Sequence, residues 1–147
     1  MTDQEKQDEL ERFDDWLFYM DDVLEEFLEK KAPKSINLDY TPESLLQFEK
    51  WLLMKYSKPE DLMQESERFW LDGAARYVGE VYRKNLNGKW TIFLDDKDYG
   101  YYGRPMVHFF KKTDPVSPHS DVIAATDRRR GDFIFELFVN TKLMMEE

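Results

Sequence analysis

Apolar side chains at positions 10, 13, 17, 20, 24 and 27 recur at alternating spacings of three and four. That is one face of a helix. Trp16 and Val23 flank the stripe, and Asp14, Asp15, Asp21, Asp22, Glu25, Glu26 and Glu29 fill much of the other side. The pattern predicts a single amphipathic helix over roughly 4–31, held on a core by Leu10, Phe13, Leu17, Met20, Leu24 and Phe27. Pro33 ends it. SINLDY, residues 35–40, reads as an extended linker.

Thr41-Pro42-Glu43 starts a second helix, with Thr41 as N-cap, Pro42 in the first turn and Tyr40 stapled onto Leu45. It runs to about Tyr56 and is broken by Ser57-Lys58-Pro59. A third helical region covers 59–86, bent near 64–66. Its expected buried stripe is Leu62, Phe69, Trp70, Ala74, Tyr77, Val78, Val81 and Tyr82. Asn87-Gly88 closes it, with Gly88 expected to supply the left-handed residue.

KWTIFL (89–94) and MVHFF (106–110) alternate and predict two strands, joined by the loop DDKDYGYYGRP. Ser117 caps an expected helix over 118–130, with VIAAT (122–126) as a third strand the alternative. Asp132 caps a last helix from Phe133 to about Met145, burying Phe133, Leu137, Phe138 and Leu143. The expected architecture is one domain over 1–147. It is α+β and mostly helical: an acidic helix over 1–31, then a body over 40–145 with a small antiparallel sheet and C-terminal helices.

Two glycines interrupt the third helix, Gly73 and Gly79. Each costs about 1 kcal/mol against Ala, so close approach of a ring or backbone is expected there. Glu80 is within helical reach of Arg76, Arg83 and Lys84. Together with Trp90 these residues read first as a packing strut and second as a ligand-reading cluster.

Charge sharpens the picture. Residues 1–29 carry twelve acids and two bases, a local balance of −10, while the rest of the chain holds nineteen of each. The whole net charge of −10 therefore belongs to the first segment. Such a surface repels phosphate and attracts cations over about 8 Å at physiological salt. Nucleic acid and anionic membrane are disfavoured as ligands. With 11 Phe, 8 Tyr and 4 Trp among 147 residues, a real core is expected rather than disorder. No apolar run approaches the roughly 20 residues of a membrane span, and the acidic start does not read as a signal peptide. A cytoplasmic protein is expected.

Candidate chemistry is sparse. There is no cysteine, hence neither disulfide nor thiolate. His108 lies in an expected strand, and His119 in a proline-bounded turn without an evident partner. Asp95, Asp96 and Asp98 fail the spacing of a calcium loop, and no metal or cofactor is expected. No nucleotide loop or hydrolase elbow is present. Arg128-Arg129-Arg130 suits a helix C-terminus or a contact with acids of the first helix.

Tyr77-Val78-Gly79-Glu80-Val81, followed by Gly88 and Trp90, resembles a helix-to-strand signature, Y-x-G-E-V then G-x-W, of an uncharacterised bacterial protein family. IAATDRRRGDFIFELF (123–138) resembles that group's closing segment, and the resemblance extends over about 40–140. It brings no catalytic residue with it and implies, loosely, an immunity-type protein. The leading expectation is a non-enzymatic protein–protein binding module, an immunity- or antitoxin-like inhibitor of a basic toxin. Its first-helix acids would meet the basic protein partner. The rivals are a small enzyme or small-molecule sensor with a pocket between sheet and helices, and a scaffold or homo-oligomer.

Overall fold

The computed structural model describes residues 2–110 and 113–147; Met1 and the Lys111-Lys112 pair lie outside the described residues. The chain is 62% helical, with seven α-helices and one two-stranded antiparallel sheet among the described residues. The helices are α1 (Asp3–Phe18), α2 (Met20–Lys30), α3 (Ser44–Lys55), α4 (Pro59–Leu62), α5 (Arg68–Leu86), α6 (Pro118–Arg128) and α7 (Phe133–Met145). The strands are β1 (Lys89–Thr91) and β2 (Met106–His108), with Trp90 opposite Val107. This is the expected mostly helical α+β architecture. Val116 returns to bridge Val107 beside the sheet.

Helix α5 is the central rod. Every residue from Gly73 to Tyr82 is buried, and α2, α6 and both strands pack around it. Both of its glycines are explained by rings. A Cβ at Gly73 would stand 2.4 Å from Cδ1 of Phe27, and one at Gly79 would stand 2.0 Å from Cη2 of Trp90. Phe27, Phe48, Trp51, Tyr56 and Trp70 then form a web of ring contacts between 4.9 and 6.2 Å. Tyr77 places its hydroxyl 2.6 Å from Ser44 Oγ, which lets the core hold two buried polar atoms.

Several boundaries differ from expectation. The first helix is broken at Tyr19. The cause is Arg76, 4% exposed, whose Nη1 donates to Trp16 O at 2.8 Å and takes that carbonyl from the helical ladder. Burial also begins only at Met20: α1 has no buried residue, and Leu10 is exposed. Phe69 is likewise turned outward, with the Lys31 ammonium 6.0 Å above its ring. Thr41 does perform its capping bond, accepting from Ser44 N, but a tight turn precedes the regular start of α3 at Ser44.

Asn87, not Gly88, adopts the left-handed conformation after α5, with φ of 55°. Gly88 is required for space, because a Cβ there would approach Val107 Cγ1 to 2.4 Å. Both strands are shorter than expected, and VIAAT is helical within α6. Ser117 caps α6 by accepting from Ser120 N. Asp132 makes no side-chain cap to α7, and Leu143 is 55% exposed. Glu49 of α3 takes over that capping role, accepting from Phe133 N at 3.2 Å and Ile134 N at 2.8 Å.

Candidate functional site

The residues singled out from the sequence fall into two groups, and the structure adds a third feature. The first group is the N-terminal surface. Asp14, Asp15, Asp21, Asp22, Glu25, Glu26 and Glu29 are all exposed. Glu26 pairs with Lys30 at 3.2 Å. Asp14, Asp15, Asp21 and Asp22 have no ion-pair partner among the described residues.

Phe18 and Tyr19, which the apolar stripe passes over, occupy the middle of this surface. Phe18 is 78% exposed and Tyr19 52%, and their rings meet edge to face at 5.1 Å. Asp14 and Asp15 precede Phe18 by four and three residues; Asp21 and Asp22 follow it by three and four. Asp14 and Asp15 share α1 with Phe18 at helical spacing, while Asp21 and Asp22 open α2 beyond the break at Tyr19. The result is an exposed aromatic knob flanked in the chain by exposed carboxylates. That signal is present in the sequence for a reader who asks which residue the acids flank.

The second group is the strut. Glu80 is 2% exposed; Oε1 accepts from Arg83 Nε at 2.8 Å and from Trp90 Nε1 at 2.9 Å, and Oε2 from Arg83 Nη2 at 2.7 Å. Burial raises its pKa, but the Arg83 fork and the indole N–H outweigh that, and the carboxyl lies below the usual range. Arg76 does not join Glu80. It pairs with Asp72 at 2.7 Å and stacks its guanidinium 4.1 Å over Trp16. Trp16 stands edge-on to Trp90 at 4.8 Å. Asp72, Arg76, Trp16, Trp90, Glu80 and Arg83 thus form one continuous chain of contacts that fastens α1 and β1 to α5. Both carboxylate oxygens of Glu80 are engaged inside it, as a packing strut requires.

The arginine run lies at a helix C-terminus, the first of its two expected placements: Arg128 closes α6 and Arg129 is its C-cap. Arg129 donates to the carbonyls of Leu53, Tyr56 and Ser57 and so caps the end of α3. Arg128 lies over the Phe133 ring, and Arg130 pairs with Asp132. None of the three meets the first-helix acids.

The third feature is a cleft of about 550 Å³ between α1, α5 and α6, lined by Trp16, Met63, Arg68, Leu71, Asp72, Arg104, His119 and Ile123. His119, expected in a turn, sits in the first turn of α6. His108 is half-buried at the end of β2, where it faces Lys89 in the register. Asp95, Asp96 and Asp98 stay on the surface. Asp96 Oδ1 accepts from Asp98 N, and Asp95 pairs with Lys6 at 3.7 Å. Among the described residues no group of three or more His, Asp and Glu side chains could hold a metal ion. No helix among them is long and apolar enough to cross a membrane. No protein-family model, curated protein or solved structure matches the chain.

Proposed function

We propose that this protein is a non-enzymatic protein-binding module whose N-terminal ridge receives a basic partner, in the manner of an immunity- or antitoxin-type inhibitor. The observation that carries this reading is Phe18. A large apolar ring 78% open to water is unfavourable in isolation, and here four exposed carboxylates that make no ion pair among the described residues flank it in the chain. Binding sites combine these two elements. The aromatic centre supplies affinity once desolvated, and surrounding charge steers encounter and selects the partner. A guanidinium or ammonium group arriving over Phe18 would meet both the ring face and the carboxylates.

Self-association through the ridge is disfavoured, because each copy would bring the same uncompensated negative charge. The physical anchoring of the ridge also suits recognition. Arg76 pins the chain at Trp16 O, two residues before Phe18, so the knob is held rather than floppy.

The test begins with recovery of the native partner by affinity purification and then measures kinetics at two ionic strengths. Reversal of Asp14, Asp15, Asp21 and Asp22 to Lys is expected to slow association by roughly tenfold or more at low salt, an effect that shrinks as salt rises. Phe18→Ala is expected to act on dissociation, by about 2 kcal/mol or roughly 30-fold, with association little changed. An acidic partner, or rates indifferent to both changes, would overturn the proposal.

A further inference from the structure

The cleft between α1, α5 and α6 carries a charge that the rest of the fold does not use. Arg104 is half-buried at its edge and donates Nη1 to Ser120 Oγ at 2.7 Å, yet no carboxylate pairs with it among the described residues. By contrast the buried Arg76 is matched by Asp72, and the exposed Arg83 by Glu80. Arg68, on the rim, pairs among the described residues with Glu65 alone, at 3.7 Å, both side chains being open to water.

The one acid in the lining, Asp72, is already spent. Its Oδ1 accepts from Trp16 Nε1 at 2.8 Å and its Oδ2 from Arg76 Nε at 2.7 Å, so the buried Arg76 offsets its charge. His119 adds a buried Nδ1 with no hydrogen-bond partner. It belongs to the first turn of the eleven-residue helix α6, the end that favours negative charge. In a chain of net charge −10, the side chains that line this cleft sum to a positive charge, with Arg68 and Arg104 against Asp72. Its remaining wall is apolar, formed by Trp16, Leu71, Ile123 and Met63.

A half-buried guanidinium without a counter-ion is costly unless an anion completes it, and Arg binds carboxylate and phosphate through two parallel N–H donors. An apolar wall beside that cation selects an organic anion over a bare inorganic one. The volume suits a small molecule. We propose that this cleft binds a small organic anion, its carboxylate or phosphate group held by Arg104 and Arg68 and its apolar body laid against Trp16 and Ile123. The site is separate from the Phe18 ridge and does not depend on the ridge's function.

Four probes distinguish the chemistry: phenyl phosphate, phenylacetate, inorganic phosphate and the neutral benzyl alcohol. Binding is followed by calorimetry and by the indole N–H resonance of Trp16 in the full-length protein. Phenyl phosphate or phenylacetate is expected to bind with Kd below about 1 mM, at least roughly tenfold more tightly than inorganic phosphate or benzyl alcohol. Whichever aryl anion binds more tightly assigns the head group. Arg104→Gln is expected to weaken that binding by roughly tenfold or more and to shift no more than the local resonances. Arg68→Gln, at an exposed rim position that cannot disturb folding, is expected to weaken it severalfold. The proposal is overturned if neither aryl anion binds more tightly than benzyl alcohol, if inorganic phosphate binds as well as both, or if the two variants bind like the wild type.

Discussion

The indole of Trp90 rests on the bare backbone of Gly79, so closely that a Cβ at that position would reach 2.0 Å from Cη2 and 2.2 Å from Cζ2 of the ring. The ring has no freedom to retreat. Its Nε1 is bonded to Glu80, and its other side meets Trp16 edge-on. Gly79→Ala gains about 1 kcal/mol of helix propensity but forces the ring to move, an overpacking cost of about 1–3 kcal/mol that also strains the Glu80 bond. The balance is a net loss of up to about 2 kcal/mol in urea unfolding. An alanine variant more stable than the wild type would show that the ring gives way freely.

Glu49 is the second place where one side chain joins two elements. It is fully buried on α3 and accepts the first two N–H groups of α7. A carboxylate at a helix N-terminus is favourable, and here it also satisfies donors that Asp132 leaves unmet. Glu49→Ala should therefore cost about 2–4 kcal/mol, from lost charge-assisted bonds and an unfilled space. Glu49→Gln keeps an acceptor and should cost roughly half as much. Chemical denaturation of the two variants checks the order. Equal losses would mean that volume, rather than capping, is what Glu49 provides.

Stability should also carry a pH signature from Asp121. Burial in the first turn of α6 raises its pKa to about 7, against about 3.9 in an unfolded chain. The native state thus binds more protons between those values, and its stability from this group falls as pH rises from about 4 to about 7. Asp121→Asn removes that term. The variant should gain on the wild type across this window by the order of 1–2 kcal/mol, held down because water reaches part of the side chain, and the gap should level off above pH 7. Thermal unfolding of both proteins from pH 4 to 8 measures it. A gap independent of pH would remove Asp121 as its source.

The helices were legible because their apolar periodicity and their stops are local: Thr41-Pro42, Ser57-Lys58-Pro59, Asn87 and Ser117 all mark ends within a residue or two. What escaped was fixed by distant partners. The break at Tyr19 depends on Arg76, 60 residues from the carbonyl it takes, and the start of α7 depends on Glu49, 85 residues from Ile134. Neither leaves a mark in a short window. Strand length was overstated for the same reason, since alternation continues past Thr91 where no partner strand remains. Of the candidate sites, the acids and their exposure were readable from charge and periodicity. The knob at Phe18 was readable only from its neighbours. The cleft was not readable, because Trp16, Arg68, Arg104 and His119 meet only in the folded chain.

The ridge itself makes a prediction about stability that needs no partner. Asp14 and Asp15 sit in the last turn of α1, which has no basic residue, so they face the negative end of that helix. Asp21 and Asp22 sit in the first turn of α2, where the dipole favours them. The four lie close together in the chain and carry like charge, and none has an ion-pair partner among the described residues. A surface selected only for folding would not collect them. Asp14→Asn with Asp15→Asn should therefore raise Tm at low salt. Asp21→Asn with Asp22→Asn should change it little, because lost repulsion and lost dipole stabilisation oppose each other. Added salt should raise the wild-type Tm and erase the difference, as screening shortens the reach of the charges. Phe18→Ala should leave Tm nearly unchanged, since the ring is mostly in water already. Calorimetry of the three variants at low and physiological ionic strength tests all of this together. If the Asp14/Asp15 pair proves stabilising, or if Phe18→Ala unfolds the protein more easily, the ridge serves the fold, and its claim to be a surface kept for a partner loses its physical basis.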